Sequence, residues 1–466
     1  MSNSAFFTNQ KMTRILLLAG LTFYGCNHEE RMKPNFLVIL TDDLNFNALG
    51  YNNKLVKTPN IDKLAKQGII FNRTYISTPV CAASRASLLT GLYPQTNGTV
   101  ALNTQSFREI MVREKRYKTL PQFLNEYGYT CFFSGKSHLG DPKDYGFSLG
   151  TETPDFDDKR AFKDVYEFID MPEFSRKPFL LWLAVRQPHV PLKPDQTWLN
   201  LYADIQFPTA LNFLENPPKE SFYNQGLPGE NFYRDSDYTD NYKNLPSGPP
   251  RTIEVINEFT KAYYATVSHL DFQIGELIDK LESKNLMKNT VLIFLSDNGY
   301  FLGNHGLGNK LTMHEESVHV PMFVFWDKLN SENHYSDALI SSVDILPTIL
   351  SLAGGEVPDY LQGSSFEDLL TEPWGMHNTY VISESVGVGG VTGTGHRMAT
   401  DGTWKYMLSD TGEEALFNLQ DDPFELVNLF NSTDNTEEIN KLKTSLQEWQ
   451  KMTGDKKSIP GQIKDN

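Results

Sequence analysis

Four short apolar runs, each ending abruptly in polar or charged residues, constrain this chain more than any other feature. Phe36–Leu40 runs into Thr41-Asp42-Asp43, and Cys131–Phe133 into Ser134-Gly135-Lys136-Ser137-His138. Phe179–Val185 runs into Arg186-Gln187-Pro188-His189, and Val291–Leu295 into Ser296-Asp297-Asn298-Gly299. A strand with one wet face alternates polar and apolar residues, so runs without alternation read as parallel strands buried on both faces. In open parallel sheets ligands sit beyond the carboxyl ends of the strands, so the four clusters are expected to converge on one edge.

Helical patterns fall between these strands, as an α/β fold requires. Pro59 opens a short helix that Gly68 ends, and Ala82–Thr90 reads as a helix capped by Gly91. Tyr264, Val267, Leu270, Ile274, Leu277, Ile278 and Leu281 form an apolar stripe at helical spacing, which is core packing. Further on, Trp404–Leu408 and Ala415–Leu419 read as strands about the turn at Asp410-Thr411-Gly412, and Ile439, Leu442, Leu446 and Trp449 mark one face of a terminal helix. The expected fold is therefore a large, mostly parallel sheet flanked by helices over residues 33–375. A smaller α+β subdomain, with a small antiparallel sheet and the terminal helix, follows over 376–466. Residues 213–251 are rich in Pro, Gly, Asn and Tyr without periodicity, the pattern of a binding loop or a surface excursion. The stretch Gly387–Gly395 lacks the glycine spacing of a dinucleotide site and reads as a flexible loop.

The 466 residues carry 42 basic and 58 acidic side chains, a net charge of -16. That balance argues against a nucleic-acid partner, which needs clustered Lys and Arg, but leaves room for an anion in a local basic pocket. Three cysteines rule out a disulfide framework. Lys11 and Arg14 precede an apolar run, Ile15–Tyr24, that is shorter than the roughly 20 residues a bilayer span needs. It reads as a signal-peptide core, so residues 1–26 are expected to be a leader. Gly25-Cys26 resembles a bacterial lipoprotein box, with Cys26 as a lipid anchor and the periplasm or cell surface of a Gram-negative bacterium as the location.

Asp42, Asp43, Asp297 and Asn298 at two strand ends make a hard, all-oxygen set suited to Ca²⁺ or Mg²⁺ rather than zinc. Lysine and histidine at the other two ends suggest that a metal and an anion bind together. Cys81 falls at a helix N-terminus, where backbone N–H groups favour anions, with Arg85 one turn later on the same face. Cys131, inside an apolar strand, reads as a buried structural residue.

Cys81-Ala82-Ala83-Ser84-Arg85 followed by Ala86-Ser87-Leu88-Leu89-Thr90-Gly91 resembles the signature of the type I, formylglycine-dependent sulfatases of the alkaline phosphatase superfamily. The resemblance extends from Asn35 to about Leu429. Leu40–Leu44 looks like the first metal motif, Gly135–Gly140 like the Lys/His motif and Ser296–Gly299 like the second metal motif. Lys310, Glu315-Glu316-Ser317 and Val320-Pro321 follow in the family's order. Ala83 stands where many members have proline, a variant paired with the anaerobic radical-type maturating enzyme. Ser137 stands where an aromatic residue is common, which is expected to alter the pocket wall.

The resemblance implies an alkaline phosphatase-like fold and a Cys81 oxidised to formylglycine, whose hydrated aldehyde is the nucleophile. It implies Ca²⁺, in preference to Mg²⁺, on Asp42, Asp43, Asp297, Asn298 and residue 81. Arg85, Lys136 and Lys310 would then stabilise anionic oxygens. His189 would protonate the leaving alcohol, and His138 would take a proton from the second hydroxyl. His305, His314 and His319 are weaker candidates for lining the substrate side. The expected activity is hydrolysis of sulfate esters on a carbohydrate. The alternatives are a phosphodiester or phosphonate ester hydrolase of the same superfamily, and a non-catalytic binder of sulfated glycans.

Overall fold

In the computed structural model, β1 (Asn35–Thr41) sends Leu37 and Ile39 to one face of a sheet and Phe36, Val38 and Leu40 to the other. Both faces are covered, and this is why the run does not alternate in sequence. One apolar cluster gathers the helices Pro59–Gln67, Lys159–Ile169 and Ile253–Ser283. The opposite cluster holds Ala86, Leu88 and Leu89 of the helix Cys81–Thr90, together with the helices Leu120–Glu126 and Ile345–Leu352. The stripe from Tyr264 to Leu281 is buried along the 31-residue helix Ile253–Ser283. Each such Leu or Ile contributes roughly 1.5–3 kcal/mol on removal from water.

The sheet has eight strands. Besides β1 they are β2 (Ile69–Tyr75), β3 (Thr130–Gly135), β4 (Leu149–Glu152), β5 (Phe179–Ala184) and β6 (Thr290–Ser296), with β9 (Met322–Phe325) and β10 (Tyr335–Ser341). A two-residue hairpin, β7 (Phe301–Leu302) with β8 (Gly308–Asn309), lies between β6 and β9 in sequence. The sheet order is β10-β2-β9-β6-β1-β5-β3-β4. Only β9 runs against its neighbours β2 and β6. The four apolar runs are thus the adjacent parallel strands β6, β1, β5 and β3, and their polar clusters leave from one edge.

A second, antiparallel sheet joins β11 (Val381–Ser385), β12 (His396–Thr400), β13 (Trp404–Ser409) and β14 (Glu414–Asn418) in that order. Its outer face packs Ile382, Ala399, Tyr406 and Leu408 on Leu442, Leu446 and Trp449 of the terminal helix Thr436–Thr453. Its inner face packs Met398, Met407 and Phe417 against Tyr75, Ile76, Met313 and Val320. The two sheets therefore share a core. The structure describes residues 33–102, 104–155, 157–172, 174, 177–225, 252–329, 335–386 and 395–456, all in one compact unit. The leader with Cys26, residues 226–251 of the long insertion and most of Gly387–Gly395 lie outside the described residues.

One buried ion network ties the small sheet to the large one. Lys405 of β13 is fully buried, with Nζ 2.9 Å from Glu315 Oε1 and 2.6 Å from Glu425 Oε1. Glu425 Oε2 accepts the backbone N–H of Glu315 at 2.8 Å, and Tyr75 donates to Glu315 Oε2 at 3.1 Å. Removing one partner of a buried pair strands the other charge. Lys405→Met is therefore expected to lower the unfolding free energy by about 3–5 kcal/mol in denaturant titrations. An unchanged midpoint would show that the network contributes nothing.

Candidate active site

The helix Cys81–Thr90 begins where Val80 is extended and ends at Gly91, whose left-handed φ of 63° suits a residue without Cβ. Cys81 is buried at its first position, and Sγ lies 4.0 Å from Asp43 Oδ1. One turn on, Arg85 donates from Nε to Asp297 Oδ2 at 2.8 Å and from Nη1 to the Lys136 carbonyl at 2.5 Å. Its Nη2 lies 3.7 Å from Asp42 Oδ1. A single guanidinium fork thus links the ends of β1, β3 and β6.

Lys136 leaves β3 through Gly135, whose φ is +108° and where a Cβ would lie 1.9 Å from the Ala184 carbonyl oxygen. Only glycine allows that approach, and the Lys136 N–H donates to the same carbonyl at 2.7 Å. The Lys136 ammonium pairs with Asp42 Oδ2, and the Lys310 ammonium with Asp43 Oδ1. Asn298 donates from Nδ2 to Asp43 Oδ1 at 2.6 Å, and the Asp43 N–H donates to Asp297 Oδ1 at 3.3 Å. Asp43, His138 and Leu311 all have left-handed φ, of 67°, 62° and 92°. Backbone strain of this kind gathers at functional sites.

Three carboxylates (Asp42, Asp43, Asp297) therefore face three cations (Arg85, Lys136, Lys310), all buried. Burial would raise the Asp42 carboxyl, but Lys136, His189, Arg85 and Lys310 outweigh it and hold it well below the usual carboxylate range. Burial and the Asp42 charge push Asp297 up, against the pull of Arg85. Burial also pushes the Cys81 thiol up to about 12, with Lys136 and Lys310 pulling back and Asp42 and Asp297 adding to the rise. The helix N-terminus does not make this sulfur a thiolate; at neutral pH it is a protonated thiol.

The donor set fits a hard cation. Asp42 Oδ1 and Asn298 Oδ1 are buried oxygens without a hydrogen-bond partner, beside three carboxylates. Among the described residues, one ligand atom each from Asp42, Asp43, Cys81 and His189 also lies within 4.8 Å of the others. Asp297 and Asn298 join this group through their hydrogen bonds to Asp43.

The two histidines differ in setting. His189 Nε2 lies 3.8 Å from Asp43 Oδ2, with its side chain 27% exposed. His138 Nδ1 is buried without a hydrogen-bond partner. Burial pushes His138 down to about 3, helped by Lys136 and Arg85, and His189 down to about 4 against the pull of Asp42. Both rings are neutral at pH 7 when the site holds no further anion, and solvent at the exposed edge of His189 relieves part of that push.

Ser137 stands just past the end of β3. It is buried, donates to the Gly140 carbonyl at 2.7 Å and lies 2.7 Å from Tyr145 Oη, so it braces the turn between Lys136 and His138. Cys131 is buried in β3, facing the Pro121 carbonyl. His305, His314 and His319 are not brought to the Cys81 cluster. His305 and His314 are buried and pack around Tyr223, while His319 stacks between Phe46 and Tyr75. Two contributors, Tyr263 and Gln225, were not legible in the sequence, and Ser296 of the predicted strand-end cluster acts through its hydroxyl. Tyr263 donates to the Asp43 carbonyl and accepts from Asn45 N, and Ser296 Oγ accepts from Leu44 N at 3.0 Å. Gln225 donates to the carbonyls of Gly308 and Lys310, both at 2.6 Å.

A parallel sheet edge that gathers hard oxygen donors, fixed cations and a helix N-terminus defines a hydrolase of anionic esters with an alkaline phosphatase-like fold. Residues 34–355 match the family described as Sulfatase, and residues 303–452 that described as N-sulphoglucosamine sulphohydrolase, C-terminal. The chain belongs to the sulfatase family and is a sulfuric ester hydrolase. It is 28% identical to an arylsulfatase of Clostridium perfringens, over 89% of this chain and 94% of that one. It superposes, at TM-score 0.77 and 22% identity, on a protein solved with its substrate D-glucosamine-2-N,6-O-disulfate, covering 92% of this chain and all of that one. A phosphonate monoester hydrolase of Agrobacterium radiobacter shares the fold at TM-score 0.73 and 19% identity, over 90% and 96% of the two chains.

Proposed function

We propose that this sulfatase removes sulfate from a carbohydrate, using formylglycine made from Cys81 and Ca²⁺ held by Asp42, Asp43, Asp297 and Asn298. The observation that carries the reading is the balanced cluster of three acids and three cations around a cysteine that is itself no nucleophile at neutral pH. The aldehyde hydrate would supply a hydroxyl nucleophile, and the cation would neutralise sulfate oxygens. Added to a neutral cluster, a divalent cation leaves a charge of two. A sulfate ester monoanion and one ionised hydroxyl match that charge, whereas a phosphate monoester dianion with the same hydroxyl exceeds it by one.

The chain's own groups supply the rest. Lys136 and Lys310 are placed to hold anionic oxygens, and Arg85 fixes Asp297 and the Lys136 backbone. Neutral His138 suits a base. His189, beside Asp43 and partly open to solvent, is placed to pass a proton to the leaving oxygen. The carbohydrate assignment is supported by the disulfated glucosamine bound to the structural neighbour and by the match to the sulphoglucosamine sulphohydrolase C-terminal region. Because of Ala83, the anaerobic radical-type enzyme is proposed to mature Cys81.

A phosphodiester or phosphonate monoester carries the same single charge as a sulfate ester, and the fold shared with the phosphonate hydrolase favours it as the second reading. Matured protein should show a higher kcat/KM on an aryl sulfate than on the matching aryl phosphodiester and phosphonate monoester. The reverse order would replace the proposed activity with the second reading.

A further inference from the structure

Asp158 precedes the helix Lys159–Ile169, in the position where an aspartate ordinarily caps its own helix. It does not do so: its side chain makes no capping bond and the residue is left-handed, with φ 57°. Instead the fully buried carboxylate reaches to the end of β5. It accepts the Arg186 N–H at 2.8 Å on Oδ1 and 3.0 Å on Oδ2, and the Gln187 N–H at 2.9 Å on Oδ2. The Gln187 side-chain amide adds a third donor at 3.3 Å. The same amide donates to Gln273 Oε1 at 2.8 Å and to the Asp157 carbonyl at 3.1 Å. The Arg186 guanidinium turns away, to the Thr153 carbonyl at 3.0 Å and to Glu152. Backbone and amide N–H groups hold this buried carboxylate.

The segment so gripped is the turn that presents His189. The His189 N–H donates to the Arg186 carbonyl at 2.7 Å, and the Gln187 carbonyl accepts the Asp42 N–H at 3.4 Å. Asp158 therefore fixes the two residues from which the imidazole is hung, and the same turn touches the β1 end that carries Asp42 and Asp43.

We propose that Asp158 is a positioning residue for leaving-group protonation: its carboxylate locks the Arg186–Gln187 turn so that His189 meets the departing oxygen. The inference rests on the reading above that His189 is the acid. An acid matters most when the departing alkoxide is a poor leaving group and little when it is a stable phenolate. That gives a signature which general loss of structure does not share.

The test is a plot of kcat/KM against leaving-group pKa, from 4-nitrophenyl sulfate through less acidic phenols to a simple sugar sulfate. It is run on matured wild type, Asp158→Asn, Gln187→Ala and His189→Ala. Asp158→Asn is expected to lie within about threefold of wild type on 4-nitrophenyl sulfate and to fall by about 10²-fold on the sugar sulfate. His189→Ala should give the same steepened slope, and Gln187→Ala, which keeps the carboxylate and both backbone bonds, a weaker version of it. Should Asp158→Asn fail to fold, the slope of Gln187→Ala decides. An equal loss on every substrate would make Asp158 merely structural and overturn the proposal. A steep His189→Ala with a flat Asp158→Asn and Gln187→Ala would overturn the positioning role alone. A flat His189→Ala would remove both the acid assignment and the inference built on it.

Discussion

Cys81→Ala, produced alongside the maturating enzyme, is expected to retain less than about 10⁻⁴ of the wild-type kcat/KM on aryl sulfates. The expectation follows from what surrounds the position. The thiol is raised to about 12 by burial and by Asp42 and Asp297, so unmodified cysteine attacks poorly, and alanine offers no attacking atom at all. Alanine occupies less volume than cysteine and leaves the pairs Arg85–Asp297, Lys136–Asp42 and Lys310–Asp43 intact, so the fold should survive. Wild-type protein from a host without the maturating enzyme should be as inactive as the variant and unfold at the same midpoint. Turnover by Cys81→Ala within tenfold of wild type would place the nucleophile elsewhere.

The second large effect concerns the cation. Asp43 touches Lys310, Asn298 and His189, and its main chain is pinned by Asp297 and Tyr263. Asp43→Asn keeps the shape and removes one charge from the donor set. It is expected to reduce kcat/KM by about 10²–10³-fold and to lower bound calcium, measured by elemental analysis, from one per chain toward none. Chelation should take wild type to the same low activity, with recovery on adding Ca²⁺, while the variant should not recover. Because the change also leaves the buried Lys310 without its carboxylate, the unfolding midpoint should fall too. Full activity in stringently chelated wild type would remove the metal from the account.

The parts legible in the sequence were those where burial and chemistry coincide. The strands β1, β3, β5 and β6 are apolar on both faces, so each announces itself as a continuous run, and its abrupt polar end marks the functional edge. β2, β4, β9 and β10 gave no such signal. β4 is largely exposed, β10 begins exposed, and β2 carries Asn72 and Arg73 toward partly open positions. β12 was hidden for the opposite reason. Its His396 and Arg397 are buried polar groups, and Arg397 is satisfied by Asp455 at 2.9 Å, far along the chain, and lies 3.5 Å from Glu384, its partner on β11.

The site shows the same division. Cys81, Arg85 and the two acidic strand ends could be read from local spacing, because a helix turn or a strand end fixes where each residue lies. The grip of Asp158 on a turn 28 residues away could not, since its partners are backbone N–H groups that carry no sequence signature. The hydroxyl of Ser137 is consumed by Gly140 and Tyr145 inside the turn, a bracing role that its neighbours in sequence do not announce. The later histidines spend their ring nitrogens on Asn212, Thr312, Glu315 and the Asn72 carbonyl while their rings stack on Tyr223 and Phe46. An imidazole on a stack and one in a catalytic cluster look alike in a sequence.

The chemical state of residue 81 tests the account most directly. Peptide mass spectrometry on protein co-expressed with the radical-type maturating enzyme should find, at that position, the mass of an aldehyde in place of the cysteine CH₂SH, and the aldehyde fraction should rise in proportion to specific activity. A fully active preparation in which residue 81 is still an intact thiol would contradict it.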